Sequence, residues 1–116
     1  MLKKISVITI NYNNCQGLIK TYDSLRIQLD LNTRVEWIVV DGNRTDGSVD
    51  FLNSISSEID TLIVESDKGI YDAMNKGLAA ATGEYVWFLN SGDSFYNNSC
   101  RYDKSRCIFP LVYLQY

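Results

Sequence analysis

A chain of 116 residues, 46% apolar and 22% charged, has room for one hydrophobic core and lacks the composition of a disordered segment. Eleven basic against fourteen acidic side chains leave a net charge of −3, which excludes a basic face built for nucleic-acid phosphates. No histidine is present, so Ser-His-Asp and Cys-His nucleophiles, histidine bases and histidine metal ligands are excluded together.

The first apolar run, Ile5-Ser6-Val7-Ile8-Thr9-Ile10, follows Lys3 and Lys4 but meets Asn11 after six residues. It is too short for the apolar stretch of a signal peptide, and its β-branched content predicts a strand. Leu18, Tyr22, Leu25 and Leu29 then recur at helical spacing. Val35-Glu36-Trp37-Ile38-Val39-Val40 is nearly continuous in hydrophobicity, as a strand buried on both faces requires. A helix over 48–55 and a third strand over 59–64 follow. The next helix spans 70–81, with Ser66 or Asp67 as its N-cap and Gly83 as a left-handed C-terminal residue. Ile70, Ala73, Met74, Gly77, Leu78 and Ala81 give it one apolar stripe, read as core packing. A fourth strand covers 85–89. This alternation predicts an α/β fold: a three-layer sandwich around a mostly parallel sheet. After Asp93 the pattern decays to one apolar patch over 108–114, interrupted by Pro110. Cys15, Cys100 and Cys107 form no C-x-x-C pair, which argues against a zinc site or disulfide framework and fits a reducing cytoplasm. No run approaches the ~20 apolar residues of a spanning helix, so a soluble, cytoplasmic protein is expected.

Parallel strands direct their C-terminal ends at one rim, where α/β proteins bind ligands. Asp41, Asp67 and Asp93 follow the second, third and fourth strands at even intervals of 26 residues, about one strand-helix repeat. Asn11, Tyr12, Asn13 and Asn14 end the first strand at the same rim. Neither G-x-G-x-x-G nor G-x-x-x-x-G-K-[ST] occurs, which removes the dinucleotide and P-loop readings. Carboxylates repel a bare diphosphate unless a divalent cation bridges them, and with asparagine amides they can also hydrogen-bond a base or ribose. The residues therefore point to a metal-nucleotide or nucleotide-sugar site. Asp46, in Thr45-Asp46-Gly47, reads as a turn and helix start. Lys76 reads as a solvated helix residue, and Asp72 either bonds within its helix or lines the pocket.

Four motifs in order make a resemblance. Ser6-Val7-Ile8-Thr9-Ile10-Asn11-Tyr12-Asn13 resembles the opening strand and loop of family 2 glycosyltransferases, which have the GT-A fold. Val39-Val40-Asp41-Gly42-Asn43-Arg44-Thr45-Asp46-Gly47-Ser48 is similar to their second-strand motif. Asp67-Lys68-Gly69-Ile70-Tyr71-Asp72-Ala73-Met74-Asn75-Lys76-Gly77 and Ala81-Thr82-Gly83-Glu84-Tyr85 resemble the third segment of a bacterial polysaccharide-assembling branch. Phe88-Leu89-Asn90-Ser91-Gly92-Asp93 sits where the family carries its metal-binding acidic motif.

The resemblance implies a nucleotide-diphosphate sugar donor, a UDP-sugar first, for glycosyl transfer in cell-surface polysaccharide biosynthesis. Asp41 would read the nucleobase, with Thr9, Asn11 and Tyr12 lining the same pocket. Asp67 and Lys68 would lie beside the base or diphosphate, and Asn75 would shape the pocket from its helix. Asp93 would face the ribose and bind the divalent cation, Mg²⁺ or Mn²⁺. Asn90 and Gly92 stand where many relatives place carboxylates, so the cation would rest on one carboxylate and the donor phosphates.

An inverting transfer also needs a general base for the acceptor hydroxyl, which relatives carry beyond the acidic motif. Here Asp103 is the only carboxylate after Asp93. The expectation is thus a nucleotide-sugar-binding GT-A half over 1–97, truncated after the acidic motif, with an atypical tail over 98–116. The alternative is a catalytically inactive nucleotide-binding remnant or interaction module. A phospho-receiver shares the α/β alternation but needs acidic residues after the first strand, where this chain has asparagines. An incomplete sheet leaves an edge uncovered, which predicts a homo-oligomer.

Overall fold

The computed structural model describes residues 5–31, 35–43, 46–92 and 112–114. In chain order these form β1 (Ile5–Asn11), α1 (Cys15–Leu31), β2 (Val35–Asp41), α2 (Ser48–Ser54), a 3-10 turn (Ser56–Glu58), β3 (Thr61–Val64), α3 (Ile70–Ala80), β4 (Tyr85–Phe88) and β5 (Val112–Leu114). One sheet runs β3-β2-β1-β4-β5. Its first four strands are parallel, with Ile5 opposite both Val35 and Tyr85, and β5 pairs antiparallel with β4. The α/β sandwich expected from the alternation is therefore present. The patch over 108–114 contributes β5 through its last residues, Val112–Leu114.

The two-residue period of a strand sorts the core into two layers. Val7, Trp37, Val39 and Trp87 project to the side covered by Leu18, Tyr22 and Leu25 of α1 and Leu52 of α2. Ile8, Ile10, Ile38, Val40, Val86 and Phe88 project to the other side, against Ala73 of α3. Each fully buried aliphatic side chain contributes about 1.5–3 kcal/mol of transfer free energy, so these layers dominate stability. Helix α3 comes unusually close: a Cβ on Gly77 would lie 2.5 Å from Ile8 Cγ2, so only glycine lets the helix backbone rest on β1. Of the expected stripe, Ala73 and Gly77 are buried and Met74, Leu78 and Ala81 pack at the margin. Ile70 departs from it, being 53% exposed.

Several boundaries differ from the sequence expectation for identifiable reasons. Strand β3 starts at Thr61 rather than residue 59, because the Asp60 side chain accepts the Trp37 N–H at 2.7 Å and parallel pairing begins only at Ile38 opposite Thr61. Helix α3 is preceded by Gly69, at φ 117°, rather than capped by Ser66 or Asp67. A side chain at that φ would be strained, so the tight entry into the helix depends on glycine. At the other end Ala81 turns extended (φ −72°, ψ 138°), and Gly83 is not among the positive-φ glycines.

Gly83 serves a different purpose. Its N–H donates to Ser6 Oγ at 2.8 Å, and Ser6 Oγ donates to Glu36 Oε2 at 2.5 Å. The same carboxylate accepts the Thr82 N–H and hydroxyl, both at 2.8 Å. Glu36 is buried, and this set of donors replaces the water it has lost. The β1, β2 and α3–β4 segments are joined by it at the end of the sheet away from the ligand rim.

Candidate functional site

Strand β1 lies between β2 and β4, so successive connections leave it in opposite directions. A crevice opens beyond the C-terminal ends of the strands at such a switch point. Here it is an open cleft of ≈ 480 Å³. Ile10, Tyr12 and Asn14 line it from the end of β1, Asn90 and Ser91 from the end of β4. Asp67, Gly69, Ile70 and Ala73 complete it from the β3–α3 loop and α3.

Local backbone chemistry builds each wall. Asn14 caps α1: its Oδ1 accepts the Gly17 N–H at 3.0 Å, while its Nδ2 donates to the Ser91 carbonyl at 3.4 Å. Asn90 Oδ1 accepts the Ile10 N–H at 3.4 Å, and the Ser91 N–H donates to the Ile10 carbonyl at 3.2 Å. These bonds carry the β1–β4 junction past the last paired residues and hold the cleft floor. Tyr12 is 56% exposed and lies against Gly42, where an added Cβ would stand 3.0 Å from its ring and 3.4 Å from Asp67 Oδ2. Gly42 thus brings an aromatic face and a carboxylate oxygen together at the rim. The other oxygen, Asp67 Oδ1, accepts the Gly69 N–H at 3.1 Å, which fixes the carboxylate in an Asx turn.

Of the residues expected at the site, Tyr12 and Asp67 line the cleft. Asn11 and Asp41 end neighbouring strands in register, directly beneath the rim. Both are buried, and Asn11 Nδ2 donates to Asp41 Oδ2 at 2.8 Å. Asp41 Oδ1 accepts the Asn43 N–H at 2.7 Å. Each carboxylate oxygen keeps a lone pair for a further donor, and Asn11 Oδ1 is buried with no partner. Thr9 lies deeper, fully buried on the α1 side, where its hydroxyl accepts the Trp37 indole N–H at 2.9 Å. It is a core residue and does not reach the cleft. Lys68 is exposed on the β3–α3 loop, and exposed Asn75 does not line the cleft. Asp93 lies outside the described residues, as do Asp103, Cys100 and Cys107.

Two further acidic residues do structural work. Asp46 receives the Ser48 N–H on one oxygen at 3.1 Å and the Cys15 N–H on the other at 2.8 Å, joining the starts of α2 and α1. Burial opposes its ionisation, but the Ser48 and Cys15 bonds prevail and hold its carboxyl below the usual range. Asp72 accepts the Lys68 N–H at 2.9 Å, and that bond, then the nearby Lys76 ammonium, lowers its pKa. Lys76 is not a freely solvated residue: its side chain is 21% exposed and lies 3.0 Å from Glu65 and 3.5 Å from Asp72. Bonding to Glu65 raises its pKa above the ordinary lysine value.

Asn14 belongs to the cleft although the sequence marks it only as a strand-end polar residue, and Asn90 and Ser91 reach the cleft from the segment that resembles the family's acidic motif. Ile10 and Gly42 carry no chemical signal at all, since their part depends on which strands become neighbours. Among the described residues no group of three or more cysteine, aspartate or glutamate side chains comes together to hold a metal. Among the described residues no helix is long and apolar enough to cross a membrane.

Known proteins resemble this chain in sequence and in fold. An uncharacterised glycosyltransferase of Mycobacterium tuberculosis is 43% identical over 91 residues, covering 78% of this chain and 34% of the relative. The mannosyltransferase PcManGT from Pyrobaculum calidifontis, in complex with GDP-Man and Mn²⁺, superposes with a TM-score of 0.72 at 24% identity, over 87% of this chain and 31% of that one. Residues 1–349 of TarS from S. aureus, in complex with UDP-GlcNAc, give 0.70 at 26% identity, over 88% of this chain and 30% of that one. The chain spans about a third of the length of the first curated relatives it matches. Its sheet and helices have the GT-A architecture over the N-terminal part of those enzymes. The family model "Glycosyl transferase family 2" matches residues 6–101, most of the chain. This protein therefore belongs to glycosyl transferase family 2.

Proposed function

We propose that the cleft binds the nucleoside-diphosphate part of a sugar donor, and that residues 1–97 are the donor-binding half of a glycosyltransferase for cell-surface polysaccharide. The observation that carries this reading is the pairing of exposed Tyr12 with Asp67 over Gly42, at the β1 switch point. An aromatic face suits a planar base, and a fixed carboxylate oxygen suits a ribose hydroxyl or base N–H. Asp41 and Asn11, at the neighbouring strand ends, keep acceptors that suit a base N–H. Lys68 and Asn75 would act from the cleft margin and not from its lining. The solved neighbours with GDP-Man and UDP-GlcNAc support a nucleotide sugar as the ligand class, with UDP-sugars the first choice.

A divalent cation, Mg²⁺ or Mn²⁺, would enter with the donor, with Asp93 as its protein ligand, and neutralise charge on the leaving diphosphate. The Mn²⁺ in the PcManGT complex supports a divalent cation as part of the ligand. The site of action is the cytoplasm. Among the described residues Asp67 is the only carboxylate lining the cleft, and one of its oxygens is engaged by Gly69, so those residues supply no separate general base. That observation favours a second reading, a nucleotide-binding module without turnover. Donor hydrolysis or sugar transfer that disappears in Asp93→Ala would reject it.

The donor reading is tested by calorimetric titration with UDP and with GDP, each with Mn²⁺ or Mg²⁺. One nucleotide should bind, and Tyr12→Ala should weaken it by about five- to a hundredfold, the range for loss of base–aromatic stacking. Absence of binding by both nucleotides would reject the reading.

A further inference from the structure

The β3–α3 loop carries Asp67 to the cleft, yet it has no regular secondary structure of its own to hold it there. Side chains from α3 hold it instead. Lys76 Nζ donates to the Ser66 carbonyl at 2.9 Å and lies 3.0 Å from Glu65 Oε1, engaging two successive loop residues. Its neighbour one turn earlier, Asp72, lies 3.5 Å from the same ammonium and accepts the Lys68 N–H at 2.9 Å. Asp67 is thus flanked on both sides by residues tied to one i,i+4 pair. The Glu65 N–H in turn donates to the Asp41 carbonyl at 3.1 Å, so the clasp reaches the buried strand end below the rim. Lysine suits this place because its three ammonium protons can serve three oxygens at once.

We propose that Lys76 is a positioning residue for nucleotide binding: it clasps residues 65–68 onto α3 and thereby aims the Asp67 carboxylate into the cleft. The inference rests on the cleft being a nucleotide site. Lys76 does not line the cleft itself, so it acts through Asp67. Exposed ion pairs add little to global stability. The effect of breaking the clasp should therefore fall on loop order and ligand affinity, with little change in the melting temperature. Removing the ammonium also leaves Glu65 and Asp72 as unneutralised carboxylates close to the loop.

The test uses Lys76→Met and Lys76→Arg in the full chain, with amide hydrogen exchange of the free protein and calorimetry with UDP and GDP plus Mn²⁺. Lys76→Met should speed exchange at Lys68 and Gly69 and weaken the bound nucleotide by about fivefold or more, with Lys76→Arg restoring part of both. Combining Lys76→Met with Asp67→Ala should cost little more than Asp67→Ala alone, because the two act on one contact. Unchanged exchange in Lys76→Met overturns the clasp. Faster exchange with unchanged affinity overturns the positioning role, as does full additivity with Asp67→Ala. If the unaltered chain binds neither nucleotide, the donor reading fails first and the positioning role falls with it.

Discussion

Tyr22 does four things from one position on α1. Its ring stacks on Trp37 (5.9 Å between centroids, 18° between planes) and meets Phe51 edge-on at 5.6 Å and 76°. The Arg26 guanidinium lies 5.9 Å from its centroid, and its hydroxyl donates to Glu58 Oε2 at 2.6 Å. That bond to a carboxylate, reinforced by burial, pushes the phenol pKa from 10.0 up to about 12. The fold thus favours the neutral phenol. Its contribution is complete below pH 10 and is lost as pH rises from there towards about 12. Phenolate absorbance should show a late-titrating phase that is lost in Tyr22→Phe. That variant should lose about 1.5–3 kcal/mol in denaturant unfolding at neutral pH, the usual worth of a hydrogen bond to a charged group. At this scale the sequence reveals the residue's burial, because Tyr22 sits on the apolar stripe with Leu18 and Leu25. It cannot reveal Glu58 as the partner, since the two meet only through the packing of α1 on the turn before β3.

The elements were legible to within one or two residues wherever apolar periodicity sets them, as in β1, β2 and the body of α3. Their ends were not. Strand β3 begins late because of one side chain, Asp60, and α3, although it starts at Ile70 as expected, is entered through Gly69 and not through a Ser66 or Asp67 cap. Glu36 is the clearest case of a residue that local pattern hides. The apolar run around it predicts a buried strand but gives no partner for the carboxylate, which here is buried and links three segments. It also gives a reason for Thr82-Gly83 in the α3–β4 connection: a hydroxyl and two N–H groups must converge on Glu36 and Ser6. Glu36→Ala would strand those buried donors at a cost of about 1–3 kcal/mol, with Glu36→Gln milder. Urea unfolding should show a lower midpoint at unchanged slope for Glu36→Ala, the mark of lost stability in an unaltered fold.

At the scale of the molecule, the sheet places β3 at one margin, where its outer backbone groups face no other strand among the described residues. Its four residues are all only half-buried, and Tyr12, Ile70 and Tyr71 leave apolar surface near the cleft, Tyr71 being 78% exposed. Open strand edges and apolar rims promote self-association. A dimer or larger species is the expected outcome in light scattering at micromolar concentration, and a clean monomer would count against it.

What the sequence by itself determined was the order of strands and helices, the side of each that faces the core, and the family, because periodicity and short motifs are local properties of the chain. It also located the rim, since carboxylates and amides at strand ends must share one edge of a parallel sheet. Tertiary structure alone decided which of them reach the cleft. Thr9 went to the core because it shares the α1-covered face with Val7 and Val39 and accepts the Trp37 indole N–H, Asp41 and Asn11 went beneath the rim as a hydrogen-bonded pair, and Lys76 left solvent to hold the Asp67 loop. The physical reason is common to all of these. Whether a polar side chain meets solvent, ligand or another residue depends on neighbours brought together from distant parts of the chain.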